Sequence, residues 1–174
     1  MFLMNIRTAW DDYFTGSPNS KLSGEYGTGQ TPSVANVYVS NCLFKSFTST
    51  VDGGALSCTS VTLLLVESSS FFSCKTSDNV GGAIYFYNTG SGQCVFHSVC
   101  GYDCCSTYTG YTYGQFSYVY VYDIASSKNY VNYSSFTRCV NERASSHYTL
   151  RHHYGKICFP SNNVSLNKCY HRTA

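Results

Sequence analysis

The feature that most constrains this chain is the alternation of two short patterns along its length. The first is a glycine pair followed by alanine and an aliphatic residue, as in Gly53-Gly54-Ala55-Leu56 and Gly81-Gly82-Ala83-Ile84. These two copies lie 28 residues apart, and weaker glycine-led versions begin at Gly114 and Gly155. A recurring spacing of this size is typical of a protein built from stacked structural units.

The second pattern is a phenylalanine followed three residues later by cysteine, or a relaxed form of that pair. Its copies begin at Phe44, Phe71, Phe96, Phe136 and Leu166, at intervals of 27, 25, 40 and 30 residues. Insertions at residues 102–113 and 141–153 account for the two longer intervals. Because the two patterns alternate strictly, we expect one copy of each in every structural unit.

The segments between these patterns have the composition of short strands. Runs such as "NVYVSNCLF", "VTLLLVESSSFF" and "AIYFY" are separated by turn residues and lack the 3.6-residue periodicity of helices. Several strands in each unit, with no helix between them, predict an all-β parallel β-helix, a solenoid of about four to five turns over residues 34–174. In that fold the phenylalanines and cysteines stack inside, and the glycine pairs form sharp turns with positive φ.

The first 33 residues differ from the rest and are predicted to form a separate unit. Phe2, Ile6 and Tyr13 recur at helical spacing, which predicts a short amphipathic helix over residues 2–14 that ends at Gly16-Ser17-Pro18. A polar connection follows. We expect the helix to cap the first turn of the solenoid, because an uncovered terminal turn exposes unpaired strand edges.

The two patterns resemble the repeats of the polymorphic outer-membrane proteins of chlamydial autotransporters and of surface-type repeat proteins of trichomonad parasites. Gly81-Gly82-Ala83-Ile84 matches that glycine motif in full, while Phe71-Phe72-Ser73-Cys74 and Phe136-Thr137-Arg138-Cys139 match its Phe-x-x-Cys form. The resemblance covers residues 39–100 well and 114–169 loosely. It implies a right-handed parallel β-helix at a cell surface, with adhesion as its role and no catalytic residues to carry over.

Charge and hydropathy exclude some functions and constrain the location. Only 11% of the residues are charged and the net charge is +2, so the clustered basic face of a nucleic-acid-binding protein is not expected. The scattered basic residues Arg143, Arg151 and Lys156 are interpreted as solvated surface. No apolar run is long enough to span a membrane. The start of the chain lacks the pattern of a signal peptide, so we predict that the chain is a fragment of a longer surface or secreted protein.

The ten cysteines do not indicate a metal site. The chain has no Cys-x-x-Cys motif, and the cysteines could be disulfides in a secreted protein or small buried hydrophobes. His147, His152, His153 and Cys158 could together offer zinc ligands, but adjacent histidines on an extended chain point to opposite faces. No metal and no cofactor are therefore predicted.

An enzyme is the alternative that the fold prediction leaves open. Asp52 and Asp78 each precede a glycine-led turn, so stacking would place two carboxylates on neighbouring units, as a polysaccharide hydrolase or lyase requires. Aspartate is also a favoured turn residue, which explains both positions without catalysis. The chain lacks the nucleophile elbow of hydrolases as well. We therefore predict that the protein is not an enzyme.

The tyrosine-rich segment "YTGYTYGQFSYVYVYD" contains the predicted binding site. Tyr118, Tyr120 and Tyr122 alternate with two valines and so lie on one face of a strand. If the valines face the core, the tyrosines form an exposed aromatic strip that suits a sugar or a host or cell-surface protein. The predicted function is a non-enzymatic scaffold for surface interaction or adhesion. The alternatives are the carbohydrate-active enzyme and a non-catalytic glycan-binding module.

Overall fold

The computed structural model of the chain describes residues 9–140 and 145–168. Strands make up 51% of the structure and helix only 3%, so sheet packing determines the fold. The single described helix, α1, is Ala9–Tyr13. The strands are β1 Ser20–Tyr26, β2 Asn36–Ser49, β3 Leu56–Cys58, β4 Leu63–Glu67, β5 Ser70–Thr76, β6 Ile84–Tyr87, β7 Gln93–His97, β8 Cys100–Tyr102, β9 Cys105–Ser106, β10 Tyr111–Tyr113, β11 Ser117–Tyr120, β12 Lys128–Asn132, β13 Ser135–Thr137, β14 Ser145–His147, β15 Leu150–His153, β16 Lys156–Cys158 and β17 Asn163–Ser165.

The described strands form three sheets in which every pair is parallel. The large sheet has eleven strands in the order β16-β12-β7-β4-β2-β5-β8-β13-β17, with β1 paired to β2 and β9 paired to β5. A four-stranded sheet has the order β15-β11-β6-β3, and β10 pairs with β14. Parallel neighbours need a crossover of a dozen or more residues, and the repeat spacing of the sequence supplies it.

The two sequence patterns occupy equivalent places in neighbouring strands. Phe44 is the register partner of Phe71, and Phe47 is the partner of Cys74. Leu56 is likewise the partner of Ile84 in the four-stranded sheet. The spacing along the chain therefore determines which strands are neighbours.

The prediction of an all-β right-handed parallel β-helix is wrong. Backbone hydrogen bonds join the described strands into open sheets and do not close them into a solenoid. The strand β2 shows the physical reason, since it is 14 residues long and pairs with β4 through its first half and with β5 through its second half. The row of strands that contains β4 and the row that contains β5 are thereby joined by β2 into one large sheet. A fixed spacing predicts parallel neighbours, but it does not determine how the sheets are joined.

The main core lies between the large sheet and the four-stranded sheet. The rings of Phe44 and Phe71 stack with centroids 4.9 Å apart and planes 5° apart. Phe116, just before β11, meets Phe71 edge-on at 5.6 Å and Phe136 at 4.6 Å. All four rings are fully buried. Burial of this aromatic surface is a large favourable contribution to folding.

The glycine pairs are required by the close approach of backbones at the turns. Gly53 and Gly81 adopt positive φ angles of 70° and 61°, as the sequence predicts. A Cβ atom on Gly82 would collide with the backbone of Cys105 and of Gln115. Glycine can adopt the left-handed conformation, and it has no side chain to block the close approach of backbones. The aliphatic residues Leu56 and Ile84 then begin β3 and β6.

The N-terminal helix does not cap the end of the strands, which corrects the second part of the fold prediction. Trp10 and Phe14 are buried against Tyr38, Leu65 and Val95, which lie on the outer face of the large sheet. The strands β2, β4 and β7 therefore have apolar side chains on both faces of the sheet, one facing the main core and the other covered by α1. Residues 2–8 of the predicted helix lie outside the described residues. The predicted polar connection contains β1, a strand that the sequence pattern did not indicate.

Candidate functional site

The two valines of the tyrosine-rich segment face the core, so its tyrosines face outward. Val119 and Val121 are fully buried, whereas Tyr118 and Tyr120 on β11 are half-buried. Tyr122 follows the end of β11 and is 38% exposed. The alternation of small buried and large outward side chains is the ordinary consequence of strand geometry.

The parallel register places further tyrosines beside the predicted ones. Tyr85 and Tyr87 on β6 are the register partners of Tyr118 and Tyr120. The ring centroids are 5.6 Å apart for Tyr85 and Tyr118, and 5.1 Å apart for Tyr87 and Tyr120. We call these four rings the tyrosine face. Among the described residues, Tyr122 makes no ring contact with it.

The strand β15 adds a cation and an imidazole to the tyrosine face. Arg151 and His153 are the register partners of Tyr118 and Tyr120. The His153 ring stacks on Tyr120 with centroids 5.4 Å apart and planes 11° apart. The Arg151 guanidinium lies over Tyr118 at 5.1 Å and over Tyr113 at 4.3 Å, measured from Cζ to each ring centroid. Contacts of this kind are cation–π interactions.

Arg151 corrects the interpretation of the scattered basic residues as solvated surface. Its guanidinium is half-buried among aromatic rings, and its Nε donates a hydrogen bond of 2.7 Å to Nε2 of His153. Arg143 lies outside the described residues, and Lys156 is exposed. Arg151 lies within residues 141–153, which the spacing predicted to be an insertion, whereas Leu150–His153 is the strand β15 paired with β11. The partnership of Arg151 with Tyr118 therefore could not be read from a fixed interval. The sequence signal for this position is the two-residue spacing of Arg151 and His153, which places both side chains on one face of a strand.

The aromatic groups of the site are uncharged at neutral pH. Burial raises the pKa of Tyr85 to about 12 and also raises the pKa of Tyr118. A hydrogen bond with Tyr154 raises the pKa of Tyr120 to about 12. Burial, and then the charge of Arg151, lower the pKa of His153. Neutral phenols and a neutral imidazole leave the Arg151 charge uncompensated by these neighbours.

Asp52 and Asp78, the residues of the enzyme alternative, lie in the turns before β3 and β6. The Oδ1 atom of Asp52 accepts a hydrogen bond of 3.0 Å from the backbone N–H of Val80, and Oδ1 of Asp78 accepts one of 2.8 Å from Asn79. Burial, opposed by the Val80 hydrogen bond, raises the pKa of Asp52. Each carboxylate thus has a partner that explains its place in a turn.

The adjacent histidines point to opposite sides, as the sequence predicts. His153 is on the tyrosine face, whereas His152 points inward, with Nε2 3.1 Å from Oγ of Ser117 and Nδ1 2.6 Å from Oδ1 of Asn129. Burial lowers the pKa of His152 to about 3, so its imidazole is neutral. Ser117 and Asn129 are fully buried. The chain of hydrogen bonds therefore satisfies buried polar groups and offers no accessible nucleophile.

A cavity of about 380 Å³ lies beside His152, lined by Leu150, Phe159, Asn162 and Val164. No group of three or more histidine, cysteine, aspartate or glutamate side chains could hold a metal ion within the described part of the chain. The nine described cysteines are free thiols, seven of them buried, and Cys169 lies outside the described residues. Burial raises the pKa of Cys104 and Cys139 well above the ordinary value, which keeps these thiols protonated.

Comparisons with known proteins do not assign the chain to a family. No family model matches it, and no curated protein or solved structure is significantly similar to it. The resemblance to the outer-membrane protein repeats therefore stays a prediction. In the part of the chain that the structure describes, no helix has the length and apolar character needed to cross a membrane.

Proposed function

We propose that this protein is a non-enzymatic interaction scaffold, and that the tyrosine face binds a glycan on a partner. The single observation that supports the proposal is the alignment of four tyrosine rings on adjacent strands, two on β6 and two on β11. Rigid strands hold these rings in place, so little conformational entropy is lost when a ligand binds.

The chemistry of the rings suits a sugar. The apolar C–H groups of a pyranose pack against exposed ring surface, while the phenol hydroxyls exchange hydrogen bonds with sugar hydroxyls. The phenols of Tyr85 and Tyr120, with pKa values of about 12 against an ordinary 10, are protonated like any tyrosine across the physiological range and can donate hydrogen bonds. Exposed aromatic patches of this type mark interaction sites.

A surface or secreted location fits this role and forms part of the proposal. The support is the resemblance of the Gly-Gly-Ala-Ile and Phe-x-x-Cys patterns to surface-protein repeats. Alkylation under denaturing conditions of protein from its natural source tests this location. Cysteines blocked as disulfides would support export through an oxidising compartment, and ten free thiols would count against it.

The test of binding is a glycan array probed with the wild-type protein and two variants. Tyr120→Ala removes a ring at the centre of the tyrosine face. Tyr102→Ala removes an exposed tyrosine from β8 in the large sheet, and serves as the control. We expect the glycans bound by wild type to be lost by Tyr120→Ala and kept by Tyr102→Ala. Equal binding by both variants would contradict the proposal.

The carbohydrate-active enzyme is the second candidate, and the raised pKa of Asp52 is the observation in its favour. A carboxyl with a raised pKa beside a second carboxylate is the pattern of a general acid. The test is release of reducing sugar from the glycans identified on the array. Turnover that is lost in Asp52→Asn would support the enzyme and count against a purely binding role.

A further inference from the structure

We infer that the ligand of the tyrosine face carries a carboxylate, and that Arg151 binds it. The ligand class is an acidic glycan containing a hexuronic acid. The inference rests on the proposed function, because it specifies which glycan the same face selects.

Arg151 has hydrogen-bonding capacity that its described neighbours do not use. A guanidinium has five N–H donors, and the Nε–H donor of Arg151 is directed to His153. Among the residues whose side chains the structure describes, no carboxylate lies within ion-pair distance of Arg151. In the described part of the chain, no hydrogen bond is found for the two terminal nitrogens of this guanidinium, and we assign them to a ligand from outside.

The groups in contact with Arg151 are uncharged. The rings that pack against it, Tyr113, Tyr118 and Tyr148, are phenols rather than carboxylates. His153 accepts the Nε hydrogen bond and has a lowered pKa, so it is neutral as well. Asp52 acts electrostatically on Tyr118, and Asp52 and Asp78 act on Tyr85, but neither carboxylate is within ion-pair distance of Arg151. A half-buried cation with neutral neighbours favours an anionic ligand.

The shape of the guanidinium favours a carboxylate among anions. The planar guanidinium fork pairs with a carboxylate through two parallel hydrogen bonds, which is stronger and more selective than a point charge. The aromatic contacts hold the guanidinium in a fixed orientation beside Tyr118. A sugar ring that packs along the outer edges of Tyr118 and Tyr120 would bring a carboxylate on that ring to Arg151. A hexuronic acid combines both features in one residue.

The experiment compares two probes by isothermal titration calorimetry at fixed ionic strength. One probe is a hexasaccharide of alternating glucuronic acid and N-acetylglucosamine, and the other is its methyl ester, which keeps the rings and removes the charge. We expect wild type to bind the acid at least about tenfold more tightly than the ester, because one charge-assisted pair is lost. The preference should decrease as salt is added.

Variants of Arg151 identify the group responsible for the preference. Arg151→Met keeps an unbranched apolar side chain over the rings, and we expect the acid-to-ester affinity ratio to fall close to one. Arg151→Lys keeps the charge without the fork, and should give an intermediate ratio. Arg138→Met is the matched control, because Arg138 also lies over a tyrosine, with Cζ 6.0 Å from the Tyr102 ring centroid. Its ratio should equal that of wild type.

The outcomes separate this inference from the proposed function. Equal affinity for acid and ester, or an unchanged ratio in Arg151→Met, would overturn the inference. So would a failure of wild type to bind the acid, or tighter binding of a sulfated hexasaccharide or a glutamate-rich peptide. The proposed function is tested separately by Tyr120→Ala, which should weaken binding of both probes. If both probes bind equally and both are lost in Tyr120→Ala, only the carboxylate inference fails.

Discussion

Replacing Phe71 by alanine removes the ring that connects the large sheet to the four-stranded sheet. Phe71 is fully buried, stacks on Phe44 in the neighbouring strand and meets Phe116 edge-on from across the core. Its register partner on the other side is Gly101, and the rings of Phe116 and Phe136 occupy the space over that glycine. The cavity left by the substitution can be reduced only by movement of these packed rings.

The expected loss of unfolding free energy follows from these contacts. A buried Phe→Ala substitution costs about 3–5 kcal/mol, and the cost rises with the volume of the remaining cavity. Because the Phe71 ring is fully buried and two ring contacts are lost, we expect a value of about 4–5 kcal/mol. The control is the next residue, Phe72, which is 44% exposed and has one ring contact, with Tyr102. Phe72→Ala should cost less than about 1 kcal/mol.

The assay is urea unfolding followed by circular dichroism for wild type and both variants. If Phe71→Ala does not fold, Phe71→Leu and Phe72→Leu replace the two alanine variants. We expect Phe71→Leu to lose about 1–2 kcal/mol of unfolding free energy and Phe72→Leu to lose almost none. Equal losses at positions 71 and 72 would refute the reasoning. That result would mean that the side chain of Phe71 does not lie between the two sheets.

Three further predictions concern the turns, the thiols and pH. Gly82→Ala should lower the unfolding midpoint strongly, because the new Cβ would collide with the backbone of Cys105. The control Gly27→Ala has open space around it and should change the midpoint little. Equal shifts in the two variants would contradict this prediction. In native protein, iodoacetamide should label the exposed Cys100 and spare Cys58, because burial raises the pKa of the Cys58 thiol. Mass spectrometry after digestion measures the labelling of both residues. Rapid labelling of Cys58 would contradict its burial. Burial lowers the pKa of His152 to about 3 from an ordinary 6.5, so its contribution to stability is complete above pH 6.5 and should be lost as pH falls toward 3. In His152→Gln the unfolding midpoint should therefore depend less on pH. An unchanged pH dependence would contradict the assignment.

The sequence predicted the local pairing of strands better than it predicted the whole fold. The 27-residue interval between Phe44 and Phe71 correctly indicated neighbouring strands, and the glycine pairs correctly indicated turns with positive φ. The connection of two sets of strands through the 14-residue β2 could not be predicted, because local spacing contains no information about how sheets are joined. The position of α1 on the outer face depended on tertiary packing for the same reason.

The candidate site was predicted in part. Alternation with buried valines correctly placed Tyr118 and Tyr120 on the outer face. Tyr85 was visible in "AIYFY" but was not connected to them, and Arg151 was interpreted as surface. Both join the site through the parallel register, which depends on insertion lengths rather than on composition. Side chains that meet across strands are the part of a binding site that a single sequence specifies least directly.

The most direct test of the tyrosine face as a binding site is a nuclear magnetic resonance titration of the ¹⁵N-labelled protein with a glycan selected on the array. We predict that the amide shifts change at Tyr85, Tyr118 and Tyr120, on β6 and β11, in proportion to saturation. Residues of β8 and β13 in the large sheet should stay unchanged. Shift changes confined to the large sheet, or to the cavity beside His152, would contradict binding at the tyrosine face.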